Sequence, residues 1–209
     1  YVLREMTHPE GGFYSTQDAD SEGVEGKFFV WTPQQVRQVL DSEEAALVLD
    51  HFGISDQGNF EGRTTVLHVA VEPETLAAKY GLGLEEVEER LNRARRALFA
   101  AREERVKPFR DEKVITGWNA LMISALARAA QVLGEGKYLA AAHQALAFID
   151  AYLLKPVGAG GQRLLRSFKE RPAPIPGYLE DYVFLAQALL DLYETDFQAA
   201  HLRRAESLM

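Results

Sequence analysis

Carboxylates in three separate polar segments are the residues of this chain best suited to chemistry. Asp18 and Asp20 lie in the acidic run Asp18-Ala19-Asp20-Ser21-Glu22-Gly23, Asp111 precedes Gly117-Trp118-Asn119, and Glu180 and Asp181 follow Gly177-Tyr178. Carboxylates from different loops act as general acid and base on a sugar when a fold brings two of them together. Asp18 or Asp20 with Asp111 or Asp181 is therefore the expected catalytic set. His8, in a loop near the acidic run, joins it as a candidate because imidazole titrates near neutrality. Tyr14, Trp118 and Tyr178 offer faces that stack on a sugar ring, and Lys113, Asn119 and Glu180 offer hydrogen bonds to hydroxyls. Plainer readings stand beside these. Core packing at a helix start is the favoured one for Trp118, capping accounts for Asn119 and a solvated charge for Lys113. Glu180 and Asp181 would complement a helix N-terminus.

The acidic run matches a calcium loop at its acidic positions 1, 3 and 5 and its glycine at 6, but position 12 is Phe29. The bidentate carboxylate is missing, so a pocket-lining loop is the better reading and no metal is expected. No cofactor motif is complete either. Gly158-Ala159-Gly160-Gly161 lacks the third glycine of a dinucleotide turn and reads as a flexible turn, and Gly26-Lys27 lacks the rest of a phosphate loop. No serine sits in a Gly-x-Ser-x-Gly elbow. His143 and His201 fall in alanine-rich helices and read as structural or exposed.

The chain has 209 residues, no cysteine and a formal net charge of −8. That charge argues against nucleic acid and against anionic membrane surfaces as partners. Absence of cysteine removes disulfides, thiolate metal sites and a cysteine nucleophile, and fits a cytoplasmic location. No apolar run approaches the ~20 residues of a membrane span.

Helical elements must position the candidate residues. Thr32-Pro33 is an N-cap followed by proline at the first helical position. A second helix carries Ala45, Leu47, Val48, His51 and Phe52, and a third runs from Pro73 to near Gly81. Leu84, Val87, Leu91, Ala94 and Leu98 recur at spacings of three and four and predict a long amphipathic helix over 84–106, with Glu86–Arg90 and Glu89–Arg93 as i,i+4 pairs. Short β-excursions are expected near 13–16, 27–31, 64–69 and 163–168.

An internal repeat organises the rest. Gly117-Trp118-Asn119 and Gly177-Tyr178-Leu179 each open an apolar helix, 60 residues apart, followed by a tight turn and an alanine-rich return helix beginning near Tyr138 or Phe197. Such a hairpin cannot bury its apolar face alone and needs neighbours. The chain reads as beginning and ending inside helices, a slice of a larger helical array. Hairpin faces left open by that slicing would favour homo-oligomers.

Four segments, in order, resemble the signatures of the spermatogenesis-associated, thioredoxin-fused family: Gly11-Gly12-Phe13-Tyr14-Ser15 with Asp18-Ala19-Asp20-Ser21; Gly58-Asn59-Phe60-Glu61-Gly62 with Val66-Leu67-His68; Asp111 through Asn119; and Gly177 through Tyr182. Gly117 and Ala120 stand where the resemblance leads one to expect Ser and Gly. The resemblance implies an all-α fold, a partial α/α toroid of the six-hairpin glycosidase-like kind with short β-excursions. Residues 1–209 would be a fragment of that single domain, without the family's thioredoxin-like domain. It implies a carbohydrate ligand and an epimerase- or glycosidase-like activity. The alternative is a non-catalytic helical scaffold supporting a thioredoxin-like domain or a protein partner.

Overall fold

The computed structural model describes residues 1–158 and 161–208, so two residues of the expected 158–161 turn lie outside the described residues. The chain is mainly helical with short sheets. It sorts into two compact units, one formed by Tyr1–Gln17 with the residues from Arg110 onward, the other by Asp18–Phe109. Among the described residues no helix is long and apolar enough to cross a membrane.

The first unit contains α1 (Val2–Glu5) and β1 (Thr16–Gln17), and the second begins with β2 (Asp20–Ser21) and β3 (Val24–Glu25). Four helices follow in the second unit: α2 (Pro33–Val39), α3 (Ser42–His51), α4 (Pro73–Tyr80) and α5 (Leu84–Glu103). Thr32 caps α2 in a reciprocal capping box with Gln35, and Gly81 ends α4 in the left-handed conformation, as the sequence predicts. Val87, Leu91, Ala94 and Leu98 are the buried stripe of α5 and pack with Leu47, Val48 and Leu76. The Glu86–Arg90 pair forms at 2.7 Å, whereas Arg93 bonds Glu44 of α3 rather than Glu89. The buried Glu44 carboxylate draws the guanidinium across to the neighbouring helix.

The aromatic run 27–31 is not a strand. Gly26 adopts positive φ, and the amides of Phe29 and Val30 both bond its carbonyl, so the chain turns there. Only Trp31 makes an isolated bridge, to Thr65. β propensity gives way because a local turn already satisfies the backbone.

Returning to the first unit, β4 (Arg110–Asp111) pairs with β1, and β5 (Val114–Ile115) leads directly into α6 (Thr116–Leu133). Then come α7 (Gly136–Phe148), a single π-helical turn (Ile149–Leu153), the hairpin β6 (Leu154–Val157) and β7 (Gly161–Leu164), and β8 (Ser167–Lys169) with β9 (Arg171–Pro172). The unit closes with α8 (Leu179–Asp196) and α9 (Ala199–Leu208). Strands β5, β8 and β9 form a three-stranded antiparallel sheet, Val114 opposite Phe168 and Ile115 opposite Ser167.

The repeat is real but its register is 63 residues, from Thr116 to Leu179 and again from Gly136 to Ala199, not 60. Gly177 lies in the loop two residues before its helix. Helices α6 and α8 lie side by side and run in the same direction, since Gly117–Asp181, Arg128–Asp191 and Gln131–Thr195 hydrogen bonds advance together along both. Ala120, Ala127, Ala142, Ala145 and Ala188 are buried, and these small side chains let the helices of the unit approach closely. The register carries to the turn: Gly134 caps α6 and Phe197 caps α8, both in the left-handed conformation, at φ of 68° and 57°.

Candidate functional site

The N-terminal ends of α6 and α8 gather most of the predicted residues of the first unit. Thr116 enters α6 with its amide bonded to the Arg166 carbonyl and its hydroxyl to that of Leu165, which ties the helix start to the segment before β8. Asp181 is fully buried in the first turn of α8. Its Oδ1 accepts the Gly117 amide and the Arg166 guanidinium, both at 2.8 Å, and its Oδ2 accepts the Tyr178 amide at 2.7 Å. A Cβ at position 117 would stand 2.9 Å from Asp181 Oδ1, so glycine is what allows this approach.

Arg166 also reaches Glu180 at 2.7 Å and lies over the Tyr178 ring, 4.9 Å from its centroid. Burial works against its charge, but Asp181 and then Glu180 outweigh that and raise its pKa. Asp111 is held by Lys113, through Nζ at 2.8 Å and the backbone amide at 3.3 Å, with Lys169 at 3.8 Å. These cations, Lys113 first, lower the Asp111 pKa. That is the direction of a standing anion and opposite to what a general acid needs at neutral pH.

Asn119 is buried and spends its whole amide on the backbone. Its Oδ1 accepts the Phe13 amide at 2.7 Å, and its Nδ2 faces the carbonyls of Phe13 and Ile115, each at 3.0 Å. The Gly11-Gly12-Phe13 segment is thereby fastened to the start of α6. Gly11, at φ +104°, would place a Cβ 2.7 Å from the Gln144 carbonyl oxygen. The segment therefore passes α7 closely enough to exclude any side chain there. Tyr14 is half-buried beneath the Arg110 guanidinium, 4.3 Å from the ring centroid. Burial first, and Glu112 second, raise its pKa. His8 bonds the Glu10 amide through Nδ1 at 3.1 Å and rests edge-on against Phe148.

Trp118 and Tyr178 behave differently. They are 49% and 57% exposed at the same helix ends, so core packing does not account for Trp118. Lys113 and Glu180 are exposed beside them.

Asp18 and Asp20 belong to the second unit, where both are exposed and Asp20 pairs with Glu25 across the β2–β3 hairpin. Glu22, the third acidic position of the run, bonds Lys27 at 2.8 Å. The residues that follow line a cleft of about 360 Å³ together with the second signature: Glu25, Lys27, Gln35, Glu61 and Thr64. Asn59 of that signature bonds both backbone groups of Val66, donating to its carbonyl at 3.0 Å and accepting its amide at 2.8 Å.

One cluster escaped the sequence reading. His143 of α7, Asp196 at the end of α8 and His201 of α9 converge, with one ligand atom of each within 4.8 Å of the others. The three residues come from three helices, so no local spacing could have revealed them.

No family model matches the chain. It is 34% identical over 238 aligned residues to spermatogenesis-associated protein 20 of Homo sapiens, covering 98% of this chain and 30% of that protein. The Mus musculus protein of the same name gives 34% identity over the same shares. An uncharacterised protein of Caenorhabditis elegans is 30% identical over 99% of this chain and 32% of its own length. The chain thus spans about a third of the relatives it matches.

Proposed function

We propose that this chain, which belongs to the spermatogenesis-associated protein family, forms two neighbouring hairpins of an α/α toroid whose helix-start rim binds a carbohydrate by aromatic stacking. The reading is one of binding rather than acid–base catalysis. A single observation carries it: at this rim the carboxylates Asp111, Glu180 and Asp181 are all engaged by cations or backbone amides, while Trp118 and Tyr178 are exposed. The toroid part is supported by the parallel α6–α8 pair and by what those helices expose. Trp118, Leu121 and Val132 on α6, and Leu179, Val183 and Leu190 on α8, recur at near-helical spacing and remain open. Stripes of this kind are buried or form the inner wall where hairpins continue around an array. The same open faces would also favour self-association of the chain.

A mono- and oligosaccharide binding screen on the full-length protein tests the proposal. We expect saturable binding that Trp118→Ala or Tyr178→Ala abolishes and Asp111→Asn leaves intact, without conversion of the sugar. Conversion that disappears in Asp111→Asn would overturn it in favour of an enzyme. Failure to bind any sugar would point instead to a scaffold for a protein partner.

A further inference from the structure

We propose that His143, Asp196 and His201 form a binding site for a divalent transition metal of the zinc type, joining α7, α8 and α9. His143 Nε2 lies 3.0 Å and His201 Nε2 3.2 Å from the same oxygen, Asp196 Oδ2. For a metal bound at about 2.1 Å to each atom, neighbouring ligand atoms stand roughly 3.0 Å apart at a right angle and roughly 3.4 Å apart in a tetrahedron. Both measured edges fall in that range. Two imidazoles and a carboxylate are also the donor set such metals prefer over calcium or magnesium.

Hydrogen bonding alone explains the cluster poorly. Asp196 Oδ2 is approached by a third donor, Gln198 Nε2, at 2.9 Å, although a carboxylate oxygen has about two lone-pair positions. A cation replacing the two imidazole contacts removes the surplus and leaves Gln198 to orient the carboxylate, assisted by the Gln198 amide on Oδ1 at 2.9 Å. The imidazole rings lie nearly parallel, 29° apart with centroids 5.5 Å from each other. Access is one-sided: the side chains of Asp196 and His201 are 9% and 10% exposed, that of His143 34%, so a fourth position faces solvent.

The test is titration of the tag-free protein with Zn²⁺ against a chromophoric chelator, with Co²⁺ absorption spectra in parallel. We expect one metal per chain, a higher midpoint of thermal unfolding with Zn²⁺, and visible Co²⁺ bands. His143→Ala, His201→Ala and Asp196→Asn should each weaken binding at least about tenfold, while His68→Ala leaves it unchanged. The Co²⁺ spectrum of the unaltered protein decides the matter even where a variant fails to fold. Absence of a saturable one-to-one Co²⁺ complex, or binding indifferent to Asp196→Asn and His201→Ala in folded variants, would overturn the proposal.

Discussion

Each unit fastens a loop with one asparagine amide that clasps both backbone groups of a distant residue. In the first unit Asn119 grips Phe13, 106 positions away, and is 1% exposed. In the second Asn59 grips Val66, seven positions away, at an exposed site. The chemistry is the same and the surroundings are not. Water can replace the Asn59 clasp at little cost, whereas nothing replaces that of Asn119, and a buried donor without a partner bears its full desolvation penalty. The first unit thus spends its polar signature residues on architecture, and the second leaves its own at the surface.

Asp181→Ala should produce the largest loss. It removes the acceptor of two backbone amides and the better partner of Arg166. Breaking a buried pair from one side costs about 3 kcal/mol or more. Urea unfolding followed by circular dichroism measures it, and a loss under about 1 kcal/mol would remove Asp181 from the structural frame.

Next comes the direct contrast between the clasps. Asn119→Ala should cost about 2–3 kcal/mol, since the Phe13 amide and carbonyl both lose their partner in a dry site. Asn59→Ala should cost no more than about 1 kcal/mol. Hydrogen exchange sharpens the contrast: Phe13 should lose protection by orders of magnitude in the first variant and Val66 only modestly in the second.

A pH effect is expected in the second unit. Tyr80 donates to Asp50 at 2.5 Å, and burial first, then that carboxylate, push its pKa up to about 12 from 10.0. A raised pKa contributes stability that is complete below the ordinary value and disappears as pH rises through the folded one. The contribution should therefore fade between pH 10.0 and about 12. Asp50 titrates at the other end. Burial opposes its charge, yet Lys79 and Tyr80 lower its pKa, so its contribution holds above the ordinary carboxylate value and is lost as pH falls through the lowered one. Tyr80→Phe should flatten the alkaline limb of a stability–pH curve, and an unchanged limb would remove Tyr80 as its source.

The smallest effect is a gain. Phe197 occupies the left-handed cap that Gly134 fills one repeat earlier, and it is 74% exposed. Relief of left-handed strain exceeds the entropy cost of glycine, so Phe197→Gly should stabilise by about 0.5 kcal/mol. Thermal unfolding measures this, and a destabilisation would show that the ring's edge contact with Tyr193 outweighs the strain.

Local signals in the sequence translate well here. The Thr32-Pro33 cap, the Gly81 stop and the α5 stripe from Val87 to Leu98 all depend on neighbours within one or two turns and form as expected, although Leu84 at the helix start is exposed and the helix ends at Glu103 rather than near 106. The repeat is legible as well, but conspicuous glycines mark loops as readily as helix starts, which set its register three residues short. Residues 27–31 mislead because β propensity says nothing of a turn already closed by Gly26. Partners far apart in sequence are the least legible. The roles of Asn119 toward Phe13 and Asp181 toward Gly117, and the meeting of His143 with Asp196 and His201, arise only when helices pack.

Trp118 and Asn119 are adjacent in sequence, yet one is exposed and the other buried. The most direct test compares Trp118→Ala with Asn119→Ala in the same urea unfolding series. Trp118→Ala should leave stability within about 0.5 kcal/mol, as an exposed surface change does, while Asn119→Ala costs about 2–3 kcal/mol. Equal losses, or a larger loss at Trp118, would contradict the division between buried anchor and exposed binding surface.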